Sequence, residues 1–201
     1  MNVRLGIVAC LIASLLSAAA RASERPNIVL VMADDMGYSD LGCYGGEIDT
    51  PHLDRLAAEG LRFTHFYSEN MCWPTRAAML TGVYHKDATA GRAISDRCLT
   101  LAEALGRSGY RTFMTGKWHM AKVGNQHDYP LQRGFDRFYG TILGASSYFT
   151  PASLMRGNEH IEEEAWEDED YYYTRAISRN AARFIEDAND ANPFFLYVAY
   201  T

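Results

Sequence analysis

The chain is poor in cysteine, proline and tryptophan, with 4, 6 and 3 among 201 residues. The few cysteines show no Cys-x-x-Cys spacing and the histidines no paired pattern, so a zinc site is not expected. Basic charge is also scarce. Formal net charge is −6. With Arg4 and Arg21 set aside, 17 basic residues face 25 acidic ones, a net −8. That argues against nucleic acid as a general partner, which needs a basic footprint. It leaves room for a local basic pocket. No apolar run is long enough to span a bilayer, and no internal repeat is evident. What remains is 48% hydrophobic and 22% charged, ordinary globular composition with enough apolar mass for one real core.

The one long apolar run is Leu5 to Leu16. Arg4 precedes it and Ala20-Arg21-Ala22 offers a small-x-small cleavage site, so residues 1–22 read as a secretory signal peptide. The expected product is residues 23–201, exported to the periplasm or outside the cell, with no stable membrane anchor. Cys10 lies too early in the run for a lipoprotein cleavage site. The remaining Cys43, Cys72 and Cys98 are an odd count for an exported protein, which points to one unpaired or modified thiol.

Hydrophobic periodicity predicts alternating strands and helices. Asn27 to Ala33 reads as a buried strand. Thr50-Pro51 opens a helix through Leu53, Leu56 and Ala57 that ends at Gly60. Leu61 to Tyr67 alternates like a strand. Thr100-Leu101-Ala102-Glu103 is a capping box for a helix that stops near Gly109. Tyr110 to Thr115 is a strand. Ser178 to Asp187 belongs to a longer helix with Ala176, Ile177, Ala181, Phe184 and Ile185 on one face. Pro193 to Tyr200 is a last apolar strand. The acid-dense stretch from Glu159 to Asp170 reads as a solvated loop without the ligand spacing of a calcium loop. Together these predict an α/β sandwich on a mainly parallel sheet.

Three short motifs carry chemistry. Cys72-Trp73-Pro74-Thr75-Arg76 precedes Ala77 to Gly82. Proline suits a first helical turn and glycine a helix end, so Cys72 is placed at a helix N-terminus. Unpaired N–H groups and the helix dipole favour an anion there, and Arg76, one turn on, adds positive charge. Asp34-Asp35 follows the first strand, at the end where ligands collect in open α/β sheets. The two carboxylates are either solvated or arranged about a hard cation such as calcium or magnesium. Gly116-Lys117-Trp118-His119 follows another strand. If extended, it points Lys117 and His119 to the same side.

Cys-x-Pro-Thr-Arg followed by Leu80-Thr81-Gly82 resembles the signature of the type I, formylglycine-dependent sulfatases, in which the cysteine is oxidised after translation. Asp34-Asp35 before Met36-Gly37-Tyr38 resembles that family's first metal motif, and Gly116 to His119 its second signature. Gly134-Phe135-Asp136 and Phe138-Tyr139-Gly140 are also similar to family sequence and are assigned structural roles. The resemblance spans about residues 26 to 201. It implies an alkaline-phosphatase-like α/β fold and a sulfuric ester hydrolase of arylsulfatase type.

By the same resemblance Cys72, Arg76, Lys117 and His119 form the catalytic set. Asp34, Asp35 and the modified Cys72 bind Ca2+, or else Mg2+. A formylglycine-generating maturation enzyme is the implied partner, and a sulfate ester, such as a sulfated polysaccharide, the implied substrate. A hydrated aldehyde offers two hydroxyls: one attacks sulfur and expels the alcohol, and the other then releases sulfate and restores the aldehyde. Conversion of Cys72 would leave Cys43 and Cys98 as a pair to join. Ser147 and His85 lie near the motifs by sequence only.

Family members are longer, and their second half supplies further metal ligands, a lysine and a histidine. The chain is therefore expected to be a truncated N-terminal portion with little activity alone. Two rivals stand beside this reading. One is a phosphonate or phosphate monoester hydrolase of the same superfamily. The other is a non-catalytic secreted remnant or sulfated-glycan-binding module.

Overall fold

The computed structural model describes residues 25–122, 124–188 and 192–201. The signal-peptide reading of residues 1–22 lies outside the described residues. In chain order the elements are β1 (Ile28–Met32), α1 (Pro51–Glu59), α2 (Cys72–Thr81), α3 (His85–Ala88), β2 (Thr89–Ala90), β3 (Ala93–Ile94), α4 (Leu101–Arg107), β4 (Arg111–Gly116), β5 (Arg137–Thr141), β6 (Leu154–Arg156), β7 (Glu159–His160), α5 (Glu163–Trp166), α6 (Tyr173–Glu186) and β8 (Phe194–Ala199).

The main sheet has the order β1-β8-β4-β5-β6-β7. Its first four strands are parallel, and β6 and β7 extend it antiparallel. The strand latest in sequence, β8, is inserted between β1 and β4, which is why all six of its residues are buried. Its side chains divide by the two-residue period of a strand. Phe195, Tyr197 and Ala199 join Met114, Trp118 and Phe135 on one face. Phe194, Leu196 and Val198 join Phe113, Ile177 and Phe184 on the other. The first face is covered by α2 and α4 through Ala77, Leu80 and Ala102, the second by α6. Each large apolar side chain buried in this way contributes roughly 1.5–3 kcal/mol.

Local signals worked where they are self-contained. In the capping box, Thr100 Oγ1 accepts from the Glu103 N–H at 3.0 Å, and Glu103 Oε2 accepts from the Thr100 N–H at 2.6 Å. Gly82 ends α2 in the left-handed region, φ 67°, with its N–H donating to the Ala78 carbonyl. That conformation costs glycine little and other residues about 1 kcal/mol or more.

Several expectations need correction. β1 is an edge strand with one face uncovered: Val29 and Val31 are 49% and 56% exposed. Leu61 to Tyr67 forms no strand, because its alternation finds no strand to pair with among the described residues. Leu61, Phe63, Phe66 and Tyr67 are exposed. Thr50 does precede α1 but does not cap it through its side chain; its hydroxyl accepts from the Gly42 N–H and donates to Asp54. Ile185 stands off the buried stripe of α6. The acid-dense segment contains β7 and α5, and Glu164 there pairs with Arg156. Cys43 and Cys98 are both free thiols, so the expected pairing is absent.

Candidate active site

The three motifs converge at the carboxyl end of the parallel strands. Asp34-Asp35 follows β1, and Lys117 to His119 follows β4. From α2, Cys72 and Arg76 reach the same corner. The extension after β4 is pinned by backbone: Lys117 N–H donates to the Ala199 carbonyl at 2.9 Å, Trp118 N–H to Thr141 at 2.9 Å and His119 N–H to Ile142 at 3.1 Å. Trp118 turns into the core, where its indole N–H donates to the Asp128 carbonyl at 2.8 Å. Lys117 and His119 both face the site, Lys117 toward Asp34 and His119 toward Cys72, but the run is not extended as expected, since the strand ends at Gly116 and His119 is left-handed.

Cys72 is the first residue of α2, and its Sγ lies 3.3 Å from His119 Nδ1. Arg76 is wholly buried. Its Nη1 donates to the Lys117 carbonyl at 2.6 Å and to the Tyr197 hydroxyl at 3.1 Å. Its Nη2 donates to Asp34 Oδ2 at 3.1 Å and to the Tyr200 carbonyl at 3.4 Å. Lys117, 5% exposed, also ion-pairs with Asp34 Oδ2. Two fixed cations thus share one carboxylate. The corner keeps an excess of positive charge in a poorly solvated place, where an anion gains most.

The same charges act on titration. Burial alone would raise the Asp34 pKa. The Lys117 hydrogen bond and the charges of Arg76 and Lys117 outweigh it and hold Asp34 below the usual carboxylate range. His119 is pushed down to about 4, first by burial and then by the Lys117, Arg76 and Arg92 charges, with Asp34 opposing. Its imidazole is neutral at physiological pH and can accept a proton.

Backbone strain collects here. The non-glycine residues with positive φ among the described residues are Asp35 (53°), His119 (60°) and Ser153 (57°). Ser153 supports the loop behind His119, its Oγ accepting from the Ile142 and Leu143 N–H groups at 3.2 and 3.0 Å. Such conformations persist where the surroundings over-determine them, commonly at functional sites. Gly144 packs flat on the imidazole: a Cβ there would meet His119 Nε2 at 2.0 Å.

Asp35 stands in solvent, apart from the Asp34 pair. No group of three or more His, Cys, Asp or Glu side chains poised to hold a metal ion occurs among the described residues. Asp34 and Asp35 are hard oxygen donors of the kind calcium and magnesium take, but fewer than the six or so oxygens either needs. Ser147 is taken up by its own loop, its Oγ accepting from the Phe149 and Thr150 N–H groups. His85 lies 3.1 Å from Glu69 and edge-on to Trp73. Sequence reasoning missed Tyr197 and Gly144. Tyr197 is 121 residues from Arg76, and its only signal was a hydroxyl in an otherwise apolar strand.

A parallel-sheet α/β scaffold with a helix-borne cysteine, a strained neutral histidine and two buried cations defines an anion-handling site. The chain matches the sulfatase family over residues 26–201 and belongs to it. Arylsulfatase J of Mus musculus is 34% identical over 194 residues, covering 89% of this chain and 32% of that protein. The arylsulfatase of Klebsiella aerogenes is 32% identical over 200 residues, covering 89% and 43%. Among solved structures, Ps i-CgsB superposes with a TM-score of 0.78 at 31% identity, covering 89% of this chain and 45% of that one. Its complex with k-i-k-neocarrahexaose gives 0.74 at 28% identity and the same coverage. The fold is the alkaline-phosphatase-like α/β type of these neighbours. The chain spans less than half the length of these relatives. Among the described residues no helix is long and apolar enough to cross a membrane.

Proposed function

We propose that the polypeptide carrying this chain hydrolyses sulfate monoesters, with Cys72, converted to formylglycine, as the nucleophile-bearing residue. One observation carries the reading: Cys72 Sγ lies 3.3 Å from a strained His119, beside buried Arg76 and Lys117 that share a single carboxylate. The sulfur marks the place a hydroxyl of the modified, hydrated side chain would take. That hydrate would supply one hydroxyl to attack sulfur and a second to expel sulfate afterwards.

The chain's own residues do the rest. Arg76 and Lys117 are held rigid, so they can meet negative charge as it develops on the sulfuryl oxygens without reorganising. His119, neutral at physiological pH, can take the proton of the attacking hydroxyl and orient the hydrate through Nδ1. Asp34 and Asp35 would hold a calcium or magnesium ion, which would withdraw charge from the same oxygens.

In this reading residues 23–201 are the N-terminal part of the catalytic domain, residues 1–22 direct export to the periplasm or beyond, and a maturation enzyme oxidises Cys72. The sugar complex of Ps i-CgsB favours a sulfated polysaccharide over a small aryl sulfate as natural substrate. The test is mass spectrometry of the Cys72 peptide from a host with the maturation enzyme, with turnover of an aryl sulfate and an aryl phosphonate measured on the same preparation. An aldehyde at Cys72 and preference for the sulfate are expected. An intact thiol, or preference for the phosphonate, would sink the reading.

A further inference from the structure

The loop after β5 has two ends with different surroundings. Its root is Gly144, packed on the His119 ring. Its far end carries Tyr148 and Phe149. Both rings lie beside Tyr172, at centroid separations of 6.2 and 5.8 Å. Tyr148, Phe149 and Tyr172 are 45%, 63% and 38% exposed.

This exposure is not that of a loose loop. Tyr173 N–H donates to the Tyr148 carbonyl at 2.7 Å, tying the tip to the start of α6. Ser147 Oγ accepts from two N–H groups at 3.1 Å, and Ser146 Oγ from the Ala152 N–H at 2.7 Å. The rings are presented by a fixed frame, so binding to them would cost little ordering entropy.

The chemistry of the patch identifies its occupant. Among the described residues between 140 and 175, the large apolar side chains in solvent are all aromatic: Tyr148, Phe149, Trp166 and Tyr172. The exposed patch around α1 is different, mixing Leu53, Leu56 and Leu61 with Phe63. Branched aliphatics suit a protein surface. Flat rings, two of the three with a hydroxyl edge, suit a ligand that is apolar on its faces and wet at its rim, which describes a pyranose. Around Tyr172 the exposed acids Asp168, Glu169 and Asp170 outnumber the one base within a helical turn, Arg175, so a second sulfate is disfavoured there and the ring is a neutral one.

We propose that Tyr148, Phe149 and Tyr172 form a stacking platform for an unsulfated sugar ring of a carbohydrate sulfate ester, while the sulfated ring lies at Cys72. Gly144 touches His119, and Tyr148 follows four residues later, so the Tyr148 Cα lies within about 14 Å of the Gly144 Cα and the platform within a reach of a few sugar units. This deepens the sulfate-ester reading and rests on it for the position of the sulfated ring.

The test is a titration of the whole polypeptide with neutral hexasaccharides, namely desulfated carrageenan hexaose, N-acetylchitohexaose and mannohexaose. The readout is the aromatic NMR signals. The signals of Tyr148, Phe149 and Tyr172 should shift with at least one sugar. The Tyr148→Ala/Phe149→Ala double variant should bind at least about tenfold more weakly, since it removes two aromatic contacts and one alone can give that factor. Tyr148→Phe should retain binding, and Tyr172→Ala should weaken it by an independent route. An unchanged thermal midpoint shows that each variant is folded. Turnover of sulfated hexasaccharide should fall about tenfold more than turnover of a small aryl sulfate. No shift with any of the sugars overturns the platform, as do shifts that survive the double variant. Rings protected from tyrosine nitration, and so covered by other polypeptide, overturn it too. Aryl sulfate turnover is read separately: its absence with sugar binding intact sinks the reaction and spares the platform.

Discussion

Two neighbouring parallel strands of one sheet differ sharply. Every side chain of β8 is buried, whereas every second side chain of β1 stands in water. β8 lies between two strands and under helices on both faces. β1 is at the edge and packs only Ile28, Leu30 and Met32 against the core. The site inherits the difference. Arg76 and Lys117 hang from the covered region and are fixed by three backbone carbonyls and Tyr197. Asp34 and Asp35 leave the end of β1. Asp34 is held by reaching across to those cations, whereas Asp35 points into solvent. The charge-binding part of the site is therefore built by the core, while Asp34 takes its place from those cations.

The strongest way to break this comparison is to remove the group that joins its halves. Arg76→Ala strands the Asp34 and Tyr197 hydrogen bonds and leaves Lys117 as the sole partner of Asp34. It should destabilise the fold by about 3 kcal/mol or more in urea titration, the usual cost of breaking a buried pair. A loss under about 1 kcal/mol would show the pair to be solvated and the contrast with β1 false.

Gly144→Ala comes next. Its Cβ must displace the imidazole or the loop, a clash that typically costs about 1–3 kcal/mol. The ring should move away from Cys72, read as a change in the alkylation rate of that thiol. Unchanged stability and reactivity would mean the loop yields freely, contrary to the fixed frame argued for it.

Titration sharpens the same point. The ordinary His119 pKa of 6.5 falls to about 4 in the fold. As pH drops through 6.5 the unfolded chain takes up a proton there and the folded chain does not, until about 4. The stability this group contributes is full above 6.5 and is lost as pH falls toward 4. An NMR titration of the imidazole should show the depressed midpoint, and Lys117→Met should raise it. A midpoint at or above the ordinary value would mean the corner is wet.

What could be read in the sequence tracks how local each signal is. The capping box and the left-handed Gly82 are decided within a few residues, and both are as expected; Lys117 and His119 do share a side, but through a left-handed His119 and not through extended alternation. The parallel α/β plan was legible because periodicity survives averaging over a whole element. Leu61 to Tyr67 failed because alternation specifies a strand only when a partner strand exists. The apolar run of β1 read as doubly covered, since sequence does not say where a sheet ends. The Arg76–Tyr197 contact, spanning 121 positions, had no local trace.

The smallest effect tests the uncovered face directly. Val29→Thr with Val31→Thr replaces two exposed apolar side chains on β1 by β-branched residues that keep strand propensity. Little apolar area leaves water at either site in this chain, so urea titration should register a change within about 0.5 kcal/mol. In a polypeptide whose further residues cover this face, each lost methyl would cost about 0.8 kcal/mol and each buried hydroxyl more. The same pair of substitutions therefore reads out, by its size alone, whether β1 remains an edge. A loss above about 2 kcal/mol in the 201-residue chain would mean that β1 is covered there as well, and that its contrast with β8 does not hold in solution.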